Sequence, residues 1–183
     1  MASKKYRNAI RSQNMIQEAL IQLLCRKEIE DITVTELTEQ ADINRRTFYL
    51  HYSNLAEVQG ALEAKLLEQL KEQLKNEKKK VVSPEMISSH IVKLLEPLPL
   101  KQMEASHNSP LYEVLYKVTN TYIDFCLQEE TSYQRKESGD EMSLHVSVSL
   151  TISSIFQWAS GIWHSDISYQ QLSKEIISAC SKL

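Results

Sequence analysis

Apolar positions recur every three to four residues along most of the chain, the period of helices buried on one face. Ile10, Ala19, Leu20, Leu23 and Leu24, with Met15 and Ile16 between them, predict a first helix from about Lys5 to Arg26. Ile29 and Ile32 tie the charged stretch that follows to the core. Three segments come next, each opened by a capping residue. Thr33, with Glu36 three residues on, has the form of a capping box and predicts a helix over 34–40 with Val34, Leu37 and Ala41 inward. Asp42-Ile43 forms a turn, since aspartate is among the few non-glycine residues that accept a left-handed backbone. Asn44 caps a second short helix from Arg45 to about Leu50, with Phe48 as its buried plug. Asn54 with Glu57 is another capping box, opening a long helix to about Lys80 that carries Leu62, Leu66, Leu70 and Leu74 on one face.

Short helices of this kind do not persist alone in water. The first helix and the start of the fourth must support them, which gives a three-helix nucleus with a helix-turn-helix inside it. Beyond it, Ser83-Pro84-Glu85 and Ser109-Pro110 both read as helix starts. The first predicts a helix carrying Ile87, Ile91, Leu94 and Leu95 and ended by Pro97 and Pro99; the second predicts one to about Glu130. The penultimate helix runs from about 142 to 163, with Leu144, Val148, Ile152, Ile155 and Ala159 on one face and Val146, Leu150, Phe156 and Trp163 outside it. Asp166 or Ser168 opens the last helix, whose face runs Leu172, Ile176, Ala179 and Cys180. A helix apolar on more than one face is either central or shared with a partner. Leu144, Val148, Ile152, Ile155, Ala159, Leu172, Ile176 and Ala179 are therefore expected at a homodimer seam, the last two helices of each subunit forming a four-helix bundle. The alternative is that they complete the protomer core.

Composition agrees with an all-α protein of about nine helices. Glycine (3) and proline (4) are scarce, and 42% hydrophobic with 25% charged residues is the balance of a soluble globular chain. Charge complicates the picture. The net charge is −3, and residues 1–60 hold eight Lys/Arg against eight Asp/Glu, so only local placement can create a positive face. Cys25, Cys126 and Cys180 are far apart and lack a CxxC pair, as expected of buried thiols in a reducing cytoplasm. No stretch approaches the apolar length of a membrane span or a signal peptide. A phosphate-cradling glycine loop, GxSxG, HExxH and clustered carboxylate pairs are all missing, so an enzyme is not expected, nor a cofactor or metal.

The segment Thr33 to Val58, TVTELTEQADINRRTFYLHYSNLAEV, resembles the DNA-binding domain of the TetR family of bacterial transcriptional regulators. Thr33, Leu37, Ala41, Ile43, the run Thr47-Phe48-Tyr49 and Tyr52 carry the match, and the stretch Asn44 to Tyr52 looks like a recurring subgroup. About 50 residues match specifically; the rest agrees only in length and helical organisation. Two departures stand out. Asp42 replaces a common turn glycine, and Leu55 replaces a lysine usually near a backbone phosphate.

The resemblance implies a DNA-binding domain over residues 1–54 and a helical regulatory and dimerisation domain over 55–183. It implies a sequence-specific regulator of double-stranded DNA, usually a repressor, acting as a homodimer on a palindromic operator. Its short helix from Arg45 would enter the major groove, with Arg45 or Arg46 reading a base. Asn44 caps that helix, and Thr47 would touch a base methyl or a phosphate. Tyr49 and His51 would hold phosphates, and so would Thr33, Thr35 and Asn54 across the groove. Tyr52 would turn its hydroxyl to DNA, and Lys4, Lys5 and Arg7 would reach the backbone. The family also implies an effector cavity, for which Met103, His107, Tyr112, Tyr116, Tyr122, Phe125, Phe156, Trp158 and Trp163 are candidates, suiting an apolar or aromatic small molecule. Alternatives are a regulator that answers to a protein partner, and a helical interaction module that does not bind DNA.

Overall fold

The computed structural model describes residues 4–77, 81–102, 109–128, 134–135, 141–162 and 166–183. Eight α-helices stand in these segments: α1 (Lys4–Leu24), α2 (Val34–Gln40), α3 (Arg45–Tyr49), α4 (Leu55–Lys75), α5 (Pro84–Leu95), α6 (Pro110–Gln128), α7 (Glu141–Ala159) and α8 (Tyr169–Cys180). Short 3-10 turns sit at Ile29–Asp31 and Leu100–Gln102. Two strands of two residues each, β1 (Val81–Val82) and β2 (Gln134–Arg135), pair in parallel. The architecture is all-helical. Among the described residues no helix is long and apolar enough to cross a membrane.

Helix ends follow the chemistry of the caps. Thr33, Asn44, Asn54, Ser83 and Ser168 all sit in extended backbone and accept the amide proton three residues on. Ser168 with Gln171 completes a reciprocal box. At α4 the expected box is altered, because Glu57 reaches back to the amide of Ser53 (2.6 Å) and not to that of Asn54. Ser109 departs further, donating its hydroxyl to the Leu24 carbonyl at the end of α1 (3.2 Å). Helix α7 stops short of the expected 163. Gly161, at φ 74°, lets the amide of Ile162 return to the Gln157 carbonyl (3.1 Å), an ending that closes the last turn.

One apolar interior runs through the chain. Helix α4 contributes Val58, Leu62, Leu66, Leu70 and Leu74 to it and contacts α1, α5 and α6. Helix α5 packs on α4, α7 and α8, and α7 packs on α5, α6 and α8. Close approach of α5 and α7 rests on small buried hydroxyls: Thr151 bonds Ser88 across the interface (2.9 Å) and the Ser147 carbonyl in its own helix (2.6 Å).

Most residues expected at a subunit seam lie in the protomer core, the alternative the sequence also allows. Leu144, Val148, Ile152 and Ile155 are at most 1% exposed within a single protomer, and Ala159, Leu172 and Ile176 are buried too. Helices α7 and α8 pack on α5 and on each other, α7 also on α6, and of the eight residues Ala179 is exposed. The surface apolar residues of α7 are instead Met142, Val146 and Leu150. Cys25, Cys126 and Cys180 are buried free thiols. Burial pushes Cys25 up to about 11 and Cys126 up to about 12, so neither forms a thiolate near neutral pH.

A polar thread crosses this interior. His90, fully buried on α5, places Nδ1 2.7 Å from the Tyr122 hydroxyl and Nε2 3.0 Å from a Glu77 carboxylate oxygen. Burial lowers its pKa, outweighing Glu77, which favours the charged ring; Lys93 acts in the same direction as burial. The folded state thus resists a proton that the unfolded chain accepts below about pH 6.5, and stability falls as pH drops through that value towards the lower folded pKa. Thermal midpoints measured from pH 7.5 to 5 should fall, and His90→Asn should flatten that dependence.

Candidate nucleic-acid interface

Residues 33–58 fold as the capped helices require. Leu37 and Phe48 are fully buried and Ala41 nearly so, while Asp42 takes φ 51° and carries the chain through the turn between α2 and α3. A β-branched residue could not hold that conformation cheaply. The turn is closed by the Ile43 amide bonding the Thr38 carbonyl (3.0 Å). Asn44 then fixes the start of α3 twice, accepting from the Thr47 amide (2.8 Å) and from the Thr47 hydroxyl (3.1 Å).

Helix α3 has five residues and one inward anchor, Phe48. Arg45, Arg46, Tyr49 and Leu50 all lie on the surface, with Tyr49 54% and Leu50 74% exposed. Neither arginine has an ion-pair partner among the described residues. Tyr49 rests edge-on against Phe48 (5.2 Å between centroids), which steadies its ring and leaves the hydroxyl outward. Thr33 and Thr35 are exposed at the start of α2, and Asn54 is exposed at the start of α4. The side chains of Lys4 and Lys5 lie outside the described residues.

Three expected contacts are revised. Tyr52 is 5% exposed and its hydroxyl accepts from the Gln17 amide on α1 (3.0 Å), inside the protein. Burial also raises its pKa, keeping the phenol neutral. Tyr52 braces α1 against the end of α3. His51 stands 2.7 Å through Nε2 from the Ser12 hydroxyl, whose proton goes to the Asn8 and Ala9 carbonyls. The ring is thus held against α1. At α4, the Glu57 carboxylate occupies the Ser53 amide, placing negative charge where a phosphate was expected near Asn54. Leu55 is half-buried against the core and offers no positive charge in compensation.

The effector candidates divide. Met103, His107 and Trp163 lie outside the described residues. Tyr112 and Phe156 meet edge to face between α6 and α7 (5.2 Å), and Tyr112 stacks on Tyr116 (5.9 Å) and bonds the Ser153 hydroxyl (3.2 Å). Tyr122 is fully buried against His90, and Phe125 lies under the Lys71 ammonium (4.5 Å). Trp158 donates to the Ile167 carbonyl (3.0 Å) beneath Lys101. Tyr112, Tyr116 and Phe156 thus cluster together, while Tyr122, Phe125 and Trp158 each sit among other neighbours. A separate cleft of about 370 Å3 opens where α1, α4 and α6 meet, lined by Leu24, Ile29, Glu63, Val114 and Lys117 among others. Sequence reasoning gave no sign of it, since its walls come from three distant segments.

No protein-family model matches the chain, and no curated protein does. Solved structures do match, and what they share with this chain is the helical fold. They include the transcriptional regulator FadR from Bacillus subtilis in complex with stearoyl-CoA, at TM-score 0.57 and 16% identity over 91% of this chain and 96% of that one. The putative fatty acid metabolism regulator of Clostridium perfringens has TM-score 0.57 and 18% identity over 91% and 96%. The fatty acid degradation regulator FadR from Bacillus halodurans has TM-score 0.56 and 14% identity over 92% and 94%. The likeness spans nearly the whole of both chains and is one of fold.

The assignment of Tyr52 as a brace is open to measurement. Tyr52→Phe should lower stability in urea by about 1–3 kcal/mol, because the buried Gln17 amide loses its acceptor.

Proposed function

We propose that the chain is a DNA-binding transcriptional regulator of the TetR type, a repressor whose homodimer reads a palindromic operator and leaves it when a small molecule binds. The observation that carries this reading is α3: a short helix, capped by Asn44 and anchored by Phe48, that presents Arg45, Arg46 and Tyr49 on its surface, neither arginine being ion-paired among the described residues. A free guanidinium fork matches guanine O6 and N7, and the tyrosine hydroxyl suits a phosphate. Thr33 and Thr35 flank the same face from α2, and Thr47 closes it. The whole-chain fold likeness to bacterial regulators supports the same conclusion. A soluble, cytoplasmic, non-enzymatic protein fits this role.

A symmetric dimer would set two copies of α3 about 34–36 Å apart, one turn of DNA. With the inward stripe of α7 spent in the protomer, the outer residues Met142, Val146 and Leu150 are the apolar surface available for the seam. The effector reading draws on the Tyr112–Tyr116–Phe156 cluster and on the stearoyl-CoA held by the Bacillus subtilis structure, which makes long-chain acyl compounds the first class to test.

Selection of preferred duplexes from a random pool by the purified chain tests the central claim. Enrichment of a symmetric sequence is expected; failure to prefer any duplex over random DNA at moderate salt would overturn it. On the selected duplex, single Arg45→Ala and Arg46→Ala variants should behave differently. The base-reading arginine should cost about 1–3 kcal/mol and relax one operator position. A phosphate contact should weaken all sequences alike and reduce the salt slope by about 1.

A further inference from the structure

Helix α3 exposes one residue that charge and hydrogen bonding do not explain. Leu50 is 74% exposed, more than any other large apolar side chain among the described residues. Its backbone continues the helix: φ −76° and ψ −18° are right-handed helical, and its amide bonds the Arg46 carbonyl at 3.2 Å. Leu50 therefore stands one turn beyond Arg46 on the same ridge. At about 100° per residue, Arg46 and Leu50 each lie about 160° from the buried Phe48, on either side of the outermost line of the helix. Arg45 lies only about 60° from Phe48 and Tyr49 about 100°, which turns both towards the walls of a groove. The half-buried Thr47, its hydroxyl held by Asn44, flanks the other side.

We infer that Arg46 and Leu50 form the base-reading ridge of α3, Arg46 taking a guanine edge and Leu50 the 5-methyl group of a nearby thymine. This rests on the DNA-binding reading above and deepens it by separating reading residues from positioning ones. The chemistry is complementary. A guanidinium needs two acceptors in one plane, which guanine offers in the major groove, while leucine has nothing to offer except apolar surface, and the thymine methyl is the one apolar group there. The four residues from Arg46 to Leu50 advance about 6 Å, against about 3.4 Å per base pair. The thymine is thus within about two base pairs of the guanine. Arg45 and Tyr49, set lower on the helix, hold phosphates.

The test uses the full chain and the duplex it selects from a random pool. Each thymine is replaced in turn by uracil, which removes only the 5-methyl group, and each guanine by 7-deazaguanine, which removes only the N7 acceptor. Wild-type protein should lose about fourfold in affinity at one uracil position per half-site. Leu50→Ala should bind that half-site equally well with thymine or uracil, and Arg46→Ala should be indifferent to deazaguanine at a position within two base pairs. Wild-type discrimination at the guanine should amount to about 5- to 150-fold against other bases. Both side chains are exposed, so thermal midpoints should match the wild type. If a duplex is selected but Leu50→Ala keeps the uracil sensitivity, the ridge is overturned while DNA binding stands. If Arg45→Ala abolishes the guanine sensitivity instead, the assignment of Arg46 fails. If no duplex is selected, the underlying functional reading fails first.

Discussion

Everything the candidate interface can do depends on the burial of Phe48. Five residues cannot hold a helix in water, because nucleation alone outweighs the few hydrogen bonds they form. The ring is fully buried, the one buried side chain of a helix that packs on α2, and it fixes the rotation of α3 about its axis. Caps at both edges, Asn44 on one side and the Tyr52–Gln17 brace on the other, remove the remaining freedom. With rotation set, the directions of Arg45, Arg46, Tyr49 and Leu50 follow from helical geometry. The exposed face is so polar and irregular because a single inward position meets the demands of the core.

The same segment was the most legible part of the chain. Caps act through neighbouring residues, so Thr33, Asn44, Asn54, Ser83 and Ser168 announce helix starts locally, and Asp42 announces its turn. Other features need the tertiary structure. Periodicity shows that α7 buries a stripe but does not reveal what covers it, and the neighbours turn out to be α5 and α6 of the same chain. The roles of Tyr52 and His51 depend on Gln17 and Ser12, both more than thirty residues away. Nothing near either residue in sequence distinguishes a brace from a phosphate contact. Gly161 marks the end of α7 locally as well, since a glycine near a helix end commonly stops it.

Electrostatics reads differently once side chains are placed. A neutral first sixty residues and an acidic whole seemed poor material for meeting a polyanion. Two of the acids prove to be occupied: Glu36 pairs with Lys27 (2.7 Å), and Glu57 accepts from the Ser53 amide. Among the described residues Arg45 and Arg46 have no ion-pair partner, so the charge of α3 itself is uncompensated. Glu57 and Leu55 act the other way at the neighbouring helix start. The surface is therefore uneven, with its positive charge concentrated on one short helix.

Helix α4 has a mechanical consequence. Its 21 residues reach from the support of α3 into the middle of the C-terminal helices, a rod of about 31 Å. Lys117 of α6 grips it at Glu63 (2.7 Å), and Ser109, just before α6, holds the end of α1. A tilt of about 6° around its far end displaces the near end by about 3 Å, close to the spacing of one base pair. In a dimer both ends of the molecule would carry such a lever. A shift in packing too small to disturb the core would be enough to put two reading helices out of step with the double helix.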